Sequence, residues 1–285
     1  MANKSTITKN NQWHPPQIKG ANFTKLLATW WGRVTSFIVS LAILLVAWNF
    51  ASGHLISEIL LPKPLDVANA ILWLPHANKF TIFLTTTLQE VLIGFALGAG
   101  SGLLLGLLCS LSPLIKKSLQ PYIVYFQNIP KIAFVPLFFV WFGMGAESKI
   151  VLATVQGFFP VFVNTILGLT LVPEAAARLM YSLGSSRIQR FRILQFPNAL
   201  PFIFAGIQTA LMVCFVSVIV AEFLGGNIGL GGYIVVFTDM MRVDRAFAVI
   251  FLISVMALII FYGVDCIGRK LVFWEKKGEG RMPTM

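Results

Sequence analysis

The chain has 285 residues, of which 57% are hydrophobic and only 12% are charged, and its mean hydropathy is +0.80. In soluble domains about a quarter of the residues are charged, so this composition excludes a soluble globular protein and indicates an integral membrane protein. The formal net charge of +11 does not predict nucleic-acid binding. The cations flank apolar segments, where attraction to anionic membrane lipid accounts for them.

Six apolar stretches are long enough to cross a membrane, which takes about 20 helical residues. They are continuous runs without period-two alternation, which indicates helices rather than the strands of a barrel. The predicted fold is an all-α membrane protein, a bundle of six transmembrane helices over 34–268 between tails at 1–33 and 269–285. The predicted spans are 34–51, 85–111, 121–143, 149–172, 201–223 and 246–268.

The distribution of cations predicts the orientation of this bundle. Sixteen Lys and Arg lie in the two tails, at 116–117 and in the loop after span four, whereas five lie on the opposite side. Since cytoplasmic loops collect positive charge, both termini and the loop at 173–201 are expected to face the cytoplasm. The same rule assigns Lys149 to the outer side, and it predicts a multi-pass protein of the cell membrane.

The second span carries four glycines at a strict four-residue spacing. This spacing puts bare backbone along one face of the helix, where a second helix can approach closely. A packing face is therefore favoured over a direct functional role for Gly94, Gly98, Gly102 and Gly106.

The third span is interrupted by Pro130 and Pro136, with Asn128 and Lys131 beside the first of them. Polar groups at that depth need the interior of a bundle or water, so the segment is a candidate lining of a translocation pathway. The alternative places Lys131 at the cytoplasmic interface, with its ammonium group reaching the headgroups.

Residues 173–201, between spans four and five, form a cationic and helix-forming island in an otherwise apolar chain. A simple connector rarely needs such a sequence, so the island predicts docking on a soluble partner. Gly184 is expected to end its first helical segment in a left-handed conformation, and the arginines beyond it are expected to meet acidic or phosphate-proximal groups of that partner. The island contains Glu174, Arg178, Arg187, Arg190 and Arg192, and is bounded by Pro173, Pro197 and Pro201.

Spans four and five carry polar side chains that favour a pathway near them, namely Gln156, Asn164, Gln208, Thr209 and Ser217. The acids Glu90, Glu222 and Asp265 are pathway candidates by the same argument. Alternatively, they are helix-end residues that are hydrogen-bonded across the bundle. The glycine-rich run at 225–232 is expected to be a flexible loop or a re-entrant turn on the outer side.

Catalytic and cofactor chemistry is not predicted. The chain has no Gly-x4-Gly-Lys-Ser/Thr sequence, so ATP is not expected to bind through a phosphate-binding loop. The histidines and cysteines are scattered without ligand spacing, which predicts no metal site and no enzyme activity. Energy must therefore come from a partner or from an ion gradient. An ion-coupled transporter would need helix breaks at matching positions in two halves, whereas Pro130, Pro136 and Pro160 fall in neighbouring spans.

Several motifs together resemble the permease subunits of bacterial ATP-binding-cassette importers, specifically their nitrate, sulfonate and taurine group. The resemblance covers about residues 40–275. It is carried by Leu61-Pro62, by the run from Ile129 to Gly143, by Phe158-Phe159-Pro160 with Asn164, by Ala221-Glu222 ahead of Gly229-Leu230-Gly231, and by Phe273-Trp274.

The resemblance implies a MetI-like permease fold and a homodimeric pore in contact with membrane lipid. It also implies two cytoplasmic ATPase subunits and an extracytoplasmic solute-binding protein. In the family, a short cytoplasmic helix with a Glu-Ala-Ala-x3-Gly pattern sits in a cleft of the ATPase. Gly184, Phe191 and Pro197 fit the second half of that pattern, whereas Glu174 lies ten residues before Gly184 and Arg178 stands six before it. A sulfonate, nitrate or taurine-like anion is the preferred substrate, and a pyrimidine or thiamine precursor is the alternative.

Overall fold

The computed structural model describes residues 30–110, 118, 122, 125, 126, 129–225 and 228–274. The regular elements within these ranges are all helices, which confirms the all-α prediction. Short 3-10 turns lie at Leu74–His76 and Lys131–Phe134, and a π-helical turn lies at Phe191–Gln195. The α-helices are α1 Trp30–His54, α2 Pro64–Trp73, α3 Phe80–Ser110, α4 Val135–Phe142, α5 Ala146–Thr170, α6 Glu174–Ser182, α7 Arg187–Arg190, α8 Phe196–Gly225, α9 Leu230–Asp239 and α10 Val243–Leu271.

Five helical segments in the described ranges are long and apolar enough to cross a membrane: α1, α3, α5, α10 and the continuous stretch from α7 through α8. The ends of α1, α3, α5, α8 and α10 lie within five residues of the predicted span boundaries, although the continuous helical stretch that contains α8 begins earlier, at Arg187. The remaining predicted span, 121–143, is the third in chain order and falls partly outside the described residues. Its described part forms the turn at 131–134 and the short helix α4, so a sixth span stays a prediction.

The chain divides into two compact units, residues 1–57 and residues 58–285. The first unit contains α1, whose apolar side chains Ile43, Leu44 and Val46 are exposed. Near its end Gly53 adopts a positive φ of 86°, which L side chains rarely adopt. An exposed, continuously apolar helix is what a lipid environment requires.

In the second unit, α5 packs against both α3 and α8, which also contact each other. The α3 face is lined by the glycines of the four-residue ladder, which are all buried. Where α5 meets α8, Gly157 of α5 faces the sulfur of Cys214, and Gly206 of α8 faces the backbone of Pro160. Small residues on both sides bring the three backbones close together, which suits association inside a membrane.

A separate apolar cluster joins α2 and the turn at Leu74–His76 with α3, α9 and α10. Phe83 and Tyr233 pack edge to face with ring centroids 4.3 Å apart, and Leu74, Leu230 and Val249 are buried around them. The hydroxyl of Tyr233 donates to the carbonyl of Asn78. The cluster therefore fixes α9 against the bundle and gives the buried phenol a hydrogen-bond partner.

The island does not end at its prolines. Helix α8 begins at Phe196 and follows directly on the π-helical turn, so Pro197 and Pro201 lie inside it. A proline inside a helix removes one backbone donor and can bend the helix without ending it. The expected boundary at Pro201 is therefore wrong, and the island runs into the long helix without a break.

Of the two alternatives for 225–232, the flexible loop is wrong for residues 229–232, whereas the re-entrant turn stays a prediction. Gly229 has a φ of +111°, and Leu230 opens the helix α9 with Leu230, Gly231 and Gly232 buried. The amide of Gly231 donates to Oε2 of Glu222 at 2.7 Å. This hydrogen bond to the buried Glu222 holds the turn at Gly229 in place, and it forms only because the fold brings the end of α8 next to the start of α9.

Candidate functional site

The first half of the island, α6, lies on the surface, and it has no buried residue. Its end is closed by Gly184, whose φ is +67°. The amide of Gly184 donates to the carbonyl of Tyr181, and the amide of Ser185 donates to the carbonyl of Met180. A left-handed glycine with these two hydrogen bonds is a stable way to end a helix.

The second half, α7, is braced by its own side chains. Ser186 and Gln189 form a reciprocal capping box. The backbone N–H of Gln189 donates to Ser186 Oγ, and the backbone N–H of Ser186 donates to the side-chain oxygen Oε1 of Gln189. The guanidinium of Arg190 donates to the carbonyl of Ser185 at 2.6 Å and lies 4.1 Å from the centre of the Tyr181 ring. These contacts tie α7 to α6, so the exposed segment has a defined conformation.

The arginines of the island therefore have different environments. Arg190 is half-buried and used inside the segment, whereas Arg178 forms an exposed ion pair of 2.9 Å with Glu174. Arg187 and Arg192 are exposed and lie beside apolar side chains that are also exposed. Leu183 and Ile188 are each 71% exposed. Apolar and cationic groups combined on one projecting segment are typical of a protein-binding surface.

Phe191 and Pro197 do not belong to this exposed surface. Phe191 packs on the buried cluster of Leu169, Ala199 and Ile203, with its ring centroid 5.9 Å from that of Phe196. Pro197 is half-buried in the first turn of α8. The two residues lie where the island meets the bundle, so they anchor the exposed segment to the membrane helices.

The predicted pathway residues are placed separately. Asn128 lies outside the described residues, and Gln156 is half-buried on α5. Lys131 is half-buried, with its ammonium nitrogen 4.7 Å from the centre of the Phe159 ring. The amide of Asn164 donates to the carbonyl of Pro160 within α5. The Asn164 side chain is thus hydrogen-bonded within its own helix.

Two further pathway candidates lie on α8. Gln208 donates to Oδ1 of Asp265 at 3.0 Å and so connects α8 with α10. Ser217 is buried and donates to the carbonyl of Val213 in its own helix. A shared cavity for these polar groups and those of α5 stays a prediction.

The acids are hydrogen-bonded across the bundle, as in the alternative given for them, but sequence reasoning missed that Glu90 and Glu222 share a buried polar cluster with Lys149. Lys149 of α5 forms an ion pair of 3.0 Å with Glu90 of α3, and both side chains are only 2% exposed. Glu222 of α8 accepts hydrogen bonds from the Thr87 hydroxyl and the Gly231 amide. Lys149, which the cation rule assigns to the outer side, is thus a buried ion-pair partner near the start of α5, and its side of the membrane stays a prediction. The signal was available, since an acid and a cation that both fall inside spans are expected to pair.

A surface pocket of about 590 Å³ lies between α2 and the turn that joins α9 to α10. Glu58 and Asp244 line it, and each has an ion-pair partner, Lys63 at 2.8 Å and Arg242 at 3.4 Å. The hydrogen bond to Glu58 raises the pKa of the Lys63 ammonium. Arg245 lies 3.6 Å from the centre of the Trp73 ring. Within the described residues, no group of three or more His, Cys, Asp or Glu could hold a metal ion.

Comparisons with known proteins match most of the chain. Residues 102–272 match the family described as the binding-protein-dependent transport system inner membrane component. The formylaminopyrimidine transport permease protein ThiX of Halalkalibacterium halodurans is 31% identical over 234 residues, which cover 82% of this chain and 93% of that protein. The taurine transport system permease protein TauC of Escherichia coli is 31% identical over 249 residues, which cover 85% and 90%.

The fold also matches a solved structure. A chain of the MetNI methionine ABC transporter, in an inward-facing conformation, superimposes with a TM-score of 0.52 and 21% identity. The match covers 70% of this chain and 97% of that one. The two chains therefore share the permease fold.

Proposed function

The chain belongs to the inner-membrane components of binding-protein-dependent transport systems, and we propose that its segment 174–190 docks on a separate ATPase. As a member of this family, it is a permease component of an ABC importer and not an enzyme. The observation that carries this proposal is the surface formed by Leu183, Arg187 and Ile188. These side chains project from a segment that is braced internally and anchored to the bundle. Exposed apolar side chains next to cations suit burial against a protein partner.

The continuity of the helix supplies a route for coupling. The chain runs without a break from α7 through the π-helical turn into α8, whose 30 residues span about 45 Å. Helix α8 reaches Glu222 near its far end, where the acid holds the start of α9. A displacement of the docking segment by the ATPase would thus be transmitted along a rigid element into the bundle.

The assembly that we propose contains two copies of this chain, two ATPase subunits and an extracytoplasmic solute-binding protein. The cation asymmetry supports an orientation in which both termini and segment 174–190 face the cytoplasm. In this arrangement the domain 34–268 forms the membrane part, and the tails 1–33 and 269–285 lie on the side of the ATPase.

For the substrate we propose a small anion such as a sulfonate, nitrate or taurine, which the likeness to the taurine permease supports. A formylaminopyrimidine is the second candidate, because the likeness to that permease is equally strong. Uptake of labelled taurine and of labelled formylaminopyrimidine by the reconstituted complex, with the binding protein encoded beside this chain, distinguishes them. Competition of unlabelled sulfonates against taurine uptake is the result expected, and uptake of the pyrimidine alone would refute the anion proposal.

The docking proposal is tested with Gly184→Asp and its neutral counterpart Gly184→Asn. A Cβ at Gly184 meets no atom within 4 Å, and both Asp and Asn tolerate a positive φ, so the pair differs mainly in charge. We expect Gly184→Asp to fold but to lose co-purification of the ATPase and ATP-dependent uptake, while Gly184→Asn retains more of both. Full ATPase binding and normal uptake by Gly184→Asp would refute the docking assignment.

A second pair of variants tests the apolar part of the surface. Ile188→Asp places a charge on the proposed docking segment, and Leu72→Asp places one on α2, where the replaced side chain is 75% exposed. We expect the first variant to lose the ATPase and the second to retain it. Equal ATPase binding by both variants would contradict a docking role for Ile188.

A further inference from the structure

The buried cluster of α3, α5 and α8 contains two acids and one cation. Nζ of Lys149 lies 3.0 Å from Oε1 of Glu90, and Glu222 is fully buried nearby. Glu90 and Glu222 interact electrostatically with each other and with Lys149. With all three groups ionised, the cluster would carry a net charge of −1 in the interior of the bundle, where an uncompensated charge is costly.

The hydrogen bonds of Glu222 are those of an ionised carboxylate. Its Oε1 accepts from the Thr87 hydroxyl at 2.6 Å, and its Oε2 accepts from the Gly231 amide at 2.7 Å. The Thr87 oxygen in turn accepts from the amide of Leu230 at 2.8 Å, which leaves the hydroxyl proton for Glu222. A carboxylate with a donor on each oxygen is stabilised in its charged form.

Glu90 differs from Glu222 in this respect. Its Oε1 accepts from Lys149, whereas its Oε2 is buried and has no hydrogen-bond partner among the residues that the structure describes. An anionic oxygen in that position would have no donor from the described residues to stabilise it. Two neighbouring acids that compete for one cation commonly retain one proton between them, and the oxygen without a donor is where that proton fits.

We infer that Glu90 carries a proton on Oε2, so that Glu90, Lys149 and Glu222 form a neutral cluster with one ammonium and one carboxylate. The proton is taken from solvent as the helices pack and is returned on unfolding. Lys149 also donates to the carbonyl of Ile228 at 3.2 Å. The neutral cluster thereby fastens residues 228–231 to α3, α5 and α8, and Glu90 acts as a positioning residue for that turn.

Glutamine variants test this inference because an amide mimics a protonated carboxyl group but not a carboxylate. In Glu90→Gln the amide oxygen still accepts from Lys149 and the NH₂ group replaces the protonated oxygen. In Glu222→Gln the NH₂ group would face the donor of Gly231 or Thr87, and one hydrogen bond is lost. We expect Glu90→Gln to unfold at the wild-type temperature in detergent and Glu222→Gln to unfold at a lower one.

Infrared spectroscopy reads the proton directly, through the C=O band of a protonated carboxyl group and its shift in heavy water. We expect such a band in the wild-type protein at neutral pH and its loss in Glu90→Gln. If Glu222→Gln fails to fold, the comparison of wild type with Glu90→Gln still decides. A wild-type spectrum without a band that depends on Glu90 would overturn the inference. A Glu90→Gln protein as unstable as Glu222→Gln would overturn it as well.

Discussion

A single methyl group added at Gly98 is expected to push α3 and α5 apart. A Cβ at this position would lie 2.6 Å from the carbonyl oxygen of Thr154, 3.1 Å from the amide nitrogen of Phe158 and 3.2 Å from the carbonyl carbon of Gly157. All three atoms belong to the backbone of α5, so no side chain can rotate away. Since non-bonded heavy atoms prefer separations of about 3.5–4.0 Å, the helices would have to separate locally by up to about 1 Å.

The magnitude follows from comparing Gly98→Ala with Gly100→Ala on the same helix. A Cβ at Gly100 meets no atom within 4 Å. Both substitutions gain the helix propensity of Ala over Gly, about 1 kcal/mol, so that contribution cancels in the comparison. What remains is the overpacking at Gly98, which typically costs about 1–3 kcal/mol. Gly98→Ala should therefore be less stable than Gly100→Ala by that amount.

The assay is unfolding of the purified protein in detergent, by heat or by denaturant, for the wild type and both variants. Co-purification of the ATPase and uptake report whether the assembly survives. Gly100→Ala serves as the control, because it changes helix propensity in the same way without adding a contact. A Gly98→Ala protein that is as stable as Gly100→Ala would refute the close packing of α3 on α5.

Two further predictions concern the end of α5 and the orientation of the chain. The side-chain amide of Asn198 donates to the carbonyl of Leu171 at 2.8 Å and to that of Gly168 at 3.3 Å. Asn198→Ala should therefore lower the free energy of unfolding by about 1 kcal/mol. Unchanged stability in a denaturant titration would contradict a capping role of Asn198 at the end of α5. An impermeant thiol reagent applied from outside the cell should label Met241→Cys, which is exposed between α9 and α10, and should leave Ser185→Cys unmodified; the reverse labelling would invert the proposed orientation.

Much of the fold followed from the sequence because lipid imposes simple local demands. A span must be apolar for about 20 residues and must satisfy its backbone hydrogen bonds internally, so helices appear as uninterrupted apolar runs. The boundaries were less accurate, as at span five, because a proline within a helical stretch does not always end the helix. The exposed island was also recognisable, since its arginines contrast with the spans on either side.

The placement of individual polar side chains could not be read in the same way. Asn164 and Ser217 both suggested a pathway, yet each is hydrogen-bonded to a carbonyl of its own helix. Arg190 suggested a contact with a partner, and in the structure it braces Tyr181 and Ser185. Residue type indicates only that a hydrogen bond is needed, whereas the partner depends on rotamer and on the neighbouring turn.

The sequence by itself determined that this chain lies in a membrane, that it is helical and that a cationic segment projects between two of its spans. These properties depend on composition and on short-range spacing. Only the tertiary structure decided that Lys149 pairs with Glu90 and that Glu222 holds the start of α9, because these contacts join residues 59 and 9 positions apart across different helices. Such pairs depend on how α3, α5 and α8 pack, and that packing is a property of the whole bundle.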